Sequence, residues 1–223
     1  MRLFAKHGPG RRTVAALLAL VMVVGLVPMT APQSQAASVL QPYLDKLVEW
    51  GVMKGDANGN LDPNRAITRA EYVAMTNRAF GYDEVGPIPF SDVSDRAWYA
   101  EDIAIGYNAG YFQGTSGNTA SPSDTLTREQ AATMLTRVYK AAKLEGWTLS
   151  ADSQFPLNYT APAPFADDAQ ISGWARESVY FMAAHGVITG VGSNRFAPTG
   201  MDASREQALV ISVRALQELN GQP

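Results

Sequence analysis

The chain has no cysteine and only two histidines among its 223 residues. Without cysteine there are no disulfides and no thiolate chemistry, so the fold must rest on core burial even in an oxidising compartment. His7 lies in a basic N-terminal segment. His185 stands just before Gly186 in a helical pattern, where a cation is favourable near a helix C-terminus. No Ser-His-Asp set and no cluster with metal-ligand spacing is evident, so the reading is of a non-enzymatic protein that needs neither metal nor cofactor. Paired-carboxylate catalysis needs only two acids and stays open as a rival.

An excess of basic residues is missing as well, since 18 Lys+Arg stand against 21 Asp+Glu for a formal net charge of −3. Nucleic acids and anionic membranes are bound through broad basic patches that release counterions, so neither is an expected partner. Long hydrophobic runs are confined to the N-terminus. There, Arg2, Lys6, Arg11 and Arg12 precede an apolar and small run of 14 residues from Val14 to Val27, followed by Pro28 and a stretch that reaches Ser34-Gln35-Ala36. The run is short of the roughly 20 residues that span a bilayer, and the order of basic, apolar and small residues is that of a secretory signal peptide. Cleavage is expected after Ala36, with Ala37 the alternative. Loss of four basic residues and no acid takes Lys+Arg from 18 to 14 against 21 acids, so the exported chain carries −7. It has no segment left to hold it in a membrane.

What is there is a threefold internal repeat. Gly51, Gly55, Pro63, Arg69 and Arg78 recur as Gly110, Gly114, Pro122, Arg128 and Arg137, then as Gly186, Gly190, Pro198, Arg205 and Arg214. Two copies carry an upstream half, Phe90-Ser91-Asp92 leading to Trp98 and Phe165-Ala166-Asp167 leading to Trp174. In the first copy Val39 stands at the Trp position, so that half is absent. The repeats are placed at 37–83, 87–144 and 164–219, with 145–163 an insertion rich in Pro, Ser and Thr that reads as a surface loop or short hairpin. Each copy reads as helix, turn, helix. The first helices, about Leu40–Trp50, Trp98–Ala109 and Trp174–His185, stop at a left-handed Gly. The second begin at Thr68, Thr127 and Ser204, and each carries one apolar stripe: Tyr72, Met75, Thr76 and Ala79; Ala131, Met134, Leu135 and Val138; Ala208, Ile211, Ser212 and Ala215. Helix pairs this small should pool their stripes in one shared core.

Phe-x-Asp, then Trp, Gly-x-x-x-Gly, Pro and Thr-Arg-Ala-Glu resembles the pattern of the S-layer-homology (SLH) domain, and the likeness covers nearly all of Val39–Leu219. Thr68-Arg69-Ala70-Glu71 matches the core motif in full, while Thr127-Arg128-Glu129-Gln130 and Ser204-Arg205-Glu206-Gln207 are near variants. The resemblance implies a mainly α, pseudo-threefold prism with one helix per repeat in a central bundle and ligand grooves between repeats. It also implies a secreted protein of the cell wall or S-layer. Its function would be non-covalent anchoring to secondary cell-wall polysaccharide, typically through a pyruvate-ketal-bearing amino sugar. A structural S-layer or adaptor protein that self-assembles or docks another surface protein is the alternative, with a wall-associated glycan hydrolase behind it.

Thr68 with Glu71, Thr127 with Gln130 and Ser204 with Gln207 have the spacing of capping boxes. The arginine inside each box is not explained that way, because a cation at the first helical position opposes the helix dipole by a few tenths to about 1 kcal/mol. A helix start plus a guanidinium fork suits a carboxylate, so Arg69, Arg128 and Arg205 are candidate polysaccharide ligands. Their rival role is pairing with Asp62, Asp124 or Asp202. Arg128→Ala and Arg205→Ala are expected to weaken wall binding without unfolding. Gly55, Gly114 and Gly190 suit a groove floor or simply a turn. Trp98 and Trp174 are further candidates for stacking on sugars, although their place at helix starts favours a core role. Asp92 and Asp167 read as local caps or turn residues rather than ligands. Asp56 to Asp62 has the look of a calcium loop, but Leu61 stands where Gly is required and Ile67 where Glu is required.

Overall fold

The computed structural model describes Val48, Lys54, residues 60–199 and residues 205–219, excepting the side chains at 205, 206, 209, 213 and 216–218. The signal segment, the first expected helix, Gly51, Gly55, most of the Asp56–Asp62 loop, the Ser204 cap and the Arg205 side chain lie outside the described residues. The protein is mainly helical: α1 (Arg69–Phe80), α2 (Ala100–Asn108), α3 (Arg128–Lys143), α4 (Arg176–Ala184) and α5 (Arg205–Leu219), with 3-10 turns at Leu149–Gln154 and Asp168–Gln170. Among the described residues there is no strand, only isolated bridges such as Thr68 to Thr125. No helix of the described residues is long and apolar enough to cross a membrane.

The starts of α1 and α3 follow from their capping boxes. The Glu71 amide donates to Thr68 Oγ1 at 3.2 Å and the Thr68 amide to Glu71 Oε2 at 2.9 Å; the Thr127 and Gln130 pair is closed in the same way at 3.3 Å in both directions. Each such cap is worth about 1 kcal/mol. Gly110 (φ 79°) and Gly186 (φ 67°) take the left-handed conformation just after α2 and α4, as the sequence predicts. All twelve stripe residues are buried, from Tyr72, Ala131 and Ala208 with no exposure to Ala79 at 5 %. Helix α5 packs on both α1 and α3, α2 packs on α1, and α4 packs on α3. The five described helices therefore share one core, and full burial of each large apolar side chain contributes about 1.5–3 kcal/mol.

One expectation is corrected. Helices α2 and α4 begin two residues after their tryptophans, because Ala100 N–H closes a turn on Ala97 O and Ala175 N–H one on Ser172 O. The indoles therefore precede the helices instead of facing the core, with Trp98 63 % and Trp174 58 % exposed. The insertion at 145–163 is a surface loop with a 3-10 turn at Leu149–Gln154, tied down at one end. Trp147 is buried against the Gly110 turn, and Asp152 accepts from Trp147 Nε1 at 2.7 Å and from the buried Lys140 Nζ at 2.8 Å. His185 ends α4 with its ring 4.5 Å from that of Phe181, consistent with a packing role.

Candidate functional site

The loops between paired helices are built from a repeated clamp. In the second repeat the chain turns back at Ser116–Thr119 and ends on Ala120-Ser121-Pro122, where Ser121 holds φ 51°. Asp62 and Ala197, the residues before Pro63 and Pro198, have φ 42° and 55°. A non-glycine residue in this region costs of order 1–3 kcal/mol, so other contacts must hold it. Asp92 does so in the second repeat by accepting from the Ala120 and Ser121 amides at 2.7 and 2.8 Å. Asp167 accepts from the Phe196 and Ala197 amides at the same distances in the third. Both aspartates lie in turns, as the sequence suggests, but the amides they cap are not local: each reaches a pair 28–30 residues away.

The arginine of the preceding repeat grips the other side of the same loop. Arg69 donates from Nε to Ala120 O (3.0 Å) and from Nη2 to Gln113 O (2.9 Å), with its guanidinium 5.1 Å from the centre of the Phe112 ring. Arg128 donates to Phe196 O (2.8 Å) and Thr189 O (2.9 Å) and lies 5.1 Å from the Phe196 ring. Their exposures are 2 % and 3 %. Burial draws both down to about 10, against the raising fields of Asp124 and Asp92 on Arg69 and of Asp167 on Arg128, so both stay charged at neutral pH. Neither has a carboxylate within 4 Å among the described residues. Among the described residues the two arginines pair with no acid; they clamp backbone carbonyls of the next repeat's loop, a role the sequence does not suggest. Gly114 and Gly190 are needed by the same loops, since a Cβ would lie 2.4 Å from Thr119 O or 2.9 Å from Arg195 O.

Burial works to raise the Asp92 and Asp167 carboxyls, but the amide bonds and the fields of Arg69 and Arg195 hold both below the ordinary carboxylate value. A lowered folded value gives stability that is present above about pH 4 and is lost as pH falls through the folded value. The melting temperature should therefore be level from pH 7 to about 5 and fall below it. Asp167→Asn should melt earlier at pH 7 and show a shallower acid limb; a limb unchanged in slope would count against the clamp.

One groove of about 310 Å³ joins all three repeats. Arg69 comes from the first, Gln113, Gly114 and Arg137 from the second, and Trp174 from the third. Arg137 donates from Nη2 to Gln113 Oε1 at 3.0 Å, so Gln113 links both guanidinium groups through its backbone and side-chain oxygens. The turn that carries Trp174 is tied to α3 by Glu129, which is 4 % exposed and accepts from Ser172 N and Oγ at 3.0 and 2.9 Å. An exposed indole face beside guanidinium and amide donors is a surface on which a sugar ring can stack while its polar substituents are bonded.

Of the expected site residues, Arg69, Gly114 and Trp174 thus share one groove. Arg128 and Gly190 adjoin the equivalent loop of the third repeat, where Arg128 meets the Thr189 carbonyl. Trp98 is exposed away from the groove lining, and Gly55 and the Arg205 side chain lie outside the described residues. Sequence reasoning gave no role to Arg137, although it recurs in the repeat with Arg78 and Arg214, and none to Glu129, which replaces the motif alanine seen at Ala70. Among the described residues, no group of acids and histidines could hold a metal ion.

A family model described as the S-layer homology domain matches residues 36–73, 89–132 and 164–208. The chain is 32 % identical over 169 residues to an amylopullulanase of Thermoanaerobacterium thermosulfurigenes, covering 75 % of this chain and 8 % of that protein. It is 29 % identical over 227 residues to the surface-layer 125 kDa protein of Lysinibacillus sphaericus, covering 98 % and 18 %. With the S-layer protein sap of Bacillus anthracis it shares 27 % over 197 residues, covering 84 % and 22 %. It spans less than a quarter of the length of each of these relatives.

Proposed function

The chain belongs to the S-layer homology domain family, and we propose that it is a secreted cell-surface protein anchored non-covalently to the wall by binding secondary cell-wall polysaccharide. The polymer bears carboxylates, of the pyruvate-ketal kind, and occupies the groove of Arg69, Gly114 and Trp174, with the Arg128 and Arg205 loops as counterparts. The observation that carries this reading is the exposed Trp174 ring, held by Glu129 at the mouth of a groove with two guanidinium groups and no carboxylate within 4 Å of either among the described residues. An acidic chain cannot collect an anionic polymer through its general field, so focal cations must do it. Purified protein should pellet with native wall sacculi and stay in the supernatant with sacculi stripped of polysaccharide or lacking pyruvylation. Equal pelleting with all three preparations would contradict the proposal.

Likeness to surface-layer proteins over most of the chain favours a second reading, in which it forms part of a coat or docks another surface protein. Sedimentation with and without wall extract separates the two, since a coat protein assembles unaided. The amylopullulanase likeness covers 8 % of that protein, and its activity is not carried over here.

A further inference from the structure

We propose that Arg137 is the residue that binds the ligand's carboxylate in this groove, and that Arg69 is a positioning residue that holds the loop beside it. The inference rests on the polysaccharide reading above. Bidentate binding of a carboxylate uses two parallel N–H groups of a guanidinium fork. In Arg69 the Nε and Nη2 side of that fork is taken by Ala120 O and Gln113 O, and 2 % of the residue is exposed. Little of it can turn toward a ligand without freeing two carbonyls.

Arg137 is in the opposite situation. It is half-buried, lines the same groove, and among the described residues has a single hydrogen bond, to the neutral Gln113 side chain. Arginine has five donors and no acceptor, so most of its donors are available for a ligand. Its repeat counterparts differ: Arg78 lies 3.8 Å from Asp102, and Arg214 is 8 % exposed. Arg137 alone of the three therefore stands at a described groove with its charge unmatched by a carboxylate within 4 Å. The positive charge of Arg137 also acts against that of Arg69, so a carboxylate between them relieves repulsion as well as forming bonds. From Arg137, Gln113 and Trp174 the site takes shape as a ring platform with a planar cation at one edge.

The test measures equilibrium binding of the purified protein to wall polysaccharide bearing pyruvate ketals, and to the same polymer after mild-acid removal of the ketals. The wild type should prefer the ketal-bearing polymer at least tenfold. Arg137→Gln should lose that preference while melting within a few degrees of the wild type. Arg137→Lys, which keeps charge but not the fork, should retain part of the preference and serves in its place if the Gln variant melts early. Undiminished preference in these variants would overturn the assignment to Arg137. Failure of the wild type to bind either polymer would instead overturn the anchoring reading, and the inference with it.

Discussion

Arg128→Ala is expected to lower the melting temperature by about 10 °C, the largest stability effect foreseen for a single substitution. Truncation removes the donors of Phe196 O and Thr189 O, and each buried acceptor left without a partner costs about 1–3 kcal/mol. Loss of the guanidinium over the Phe196 ring and of the packed stem brings the sum to about 3–5 kcal/mol. In a protein of this size 1 kcal/mol corresponds to roughly 2–4 °C. Arg128→Lys should fall between, since one ammonium cannot serve two carbonyls in fixed directions. The sequence alone anticipates weakened wall binding without unfolding from this substitution. A side chain 3 % exposed and bonded to two carbonyls of the next repeat makes it a test of folding first. Thermal melts followed by circular dichroism decide the matter, and an unchanged melting temperature would remove the clamp from the account.

Trp174→Ala should do the reverse, with wall binding weakened about 30-fold or more and the melting temperature kept within about 2 °C. A large ring at the centre of a binding surface commonly contributes 2 kcal/mol or more on truncation, and 1.4 kcal/mol is tenfold in affinity. The ring is 58 % exposed, so little core packing goes with it. Binding isotherms on purified polysaccharide beside melts of the same samples separate the two effects. Loss of stability without loss of affinity would return Trp174 to a packing role.

Much of this fold is legible in the sequence because it rests on local rules. The three stripes, the two described capping boxes and the two described glycine stops depend on residues within a turn or two of each other, and all are found where the spacing puts them. The clamp is hidden because its partners are backbone groups. Nothing in the sequence says that Asp92 accepts from the Ala120 amide, or that Arg69 donates to the carbonyl of the same residue. Even the aromatic surface beneath the arginine escapes the repeat, since Phe112 and Phe196 occupy different repeat positions yet reach the same place against the guanidinium. The arginine's conflict with the helix dipole was a sound signal that something favours it; the favouring partner is the neighbouring repeat's loop. The sequence pattern puts the tryptophans at the helix starts, on a core face; the helices begin two residues later, and the rings stand exposed. Glu129 had a signal of its own, as the departure from the motif at the position of Ala70.

The most direct test of the groove as the wall-binding site is a crystal structure of the protein with a pyruvylated amino-sugar fragment of the wall polysaccharide. The account predicts the sugar ring stacked on Trp174, with its carboxylate within hydrogen-bond distance of Arg137. A fragment bound elsewhere on the protein, with this groove vacant, would contradict it.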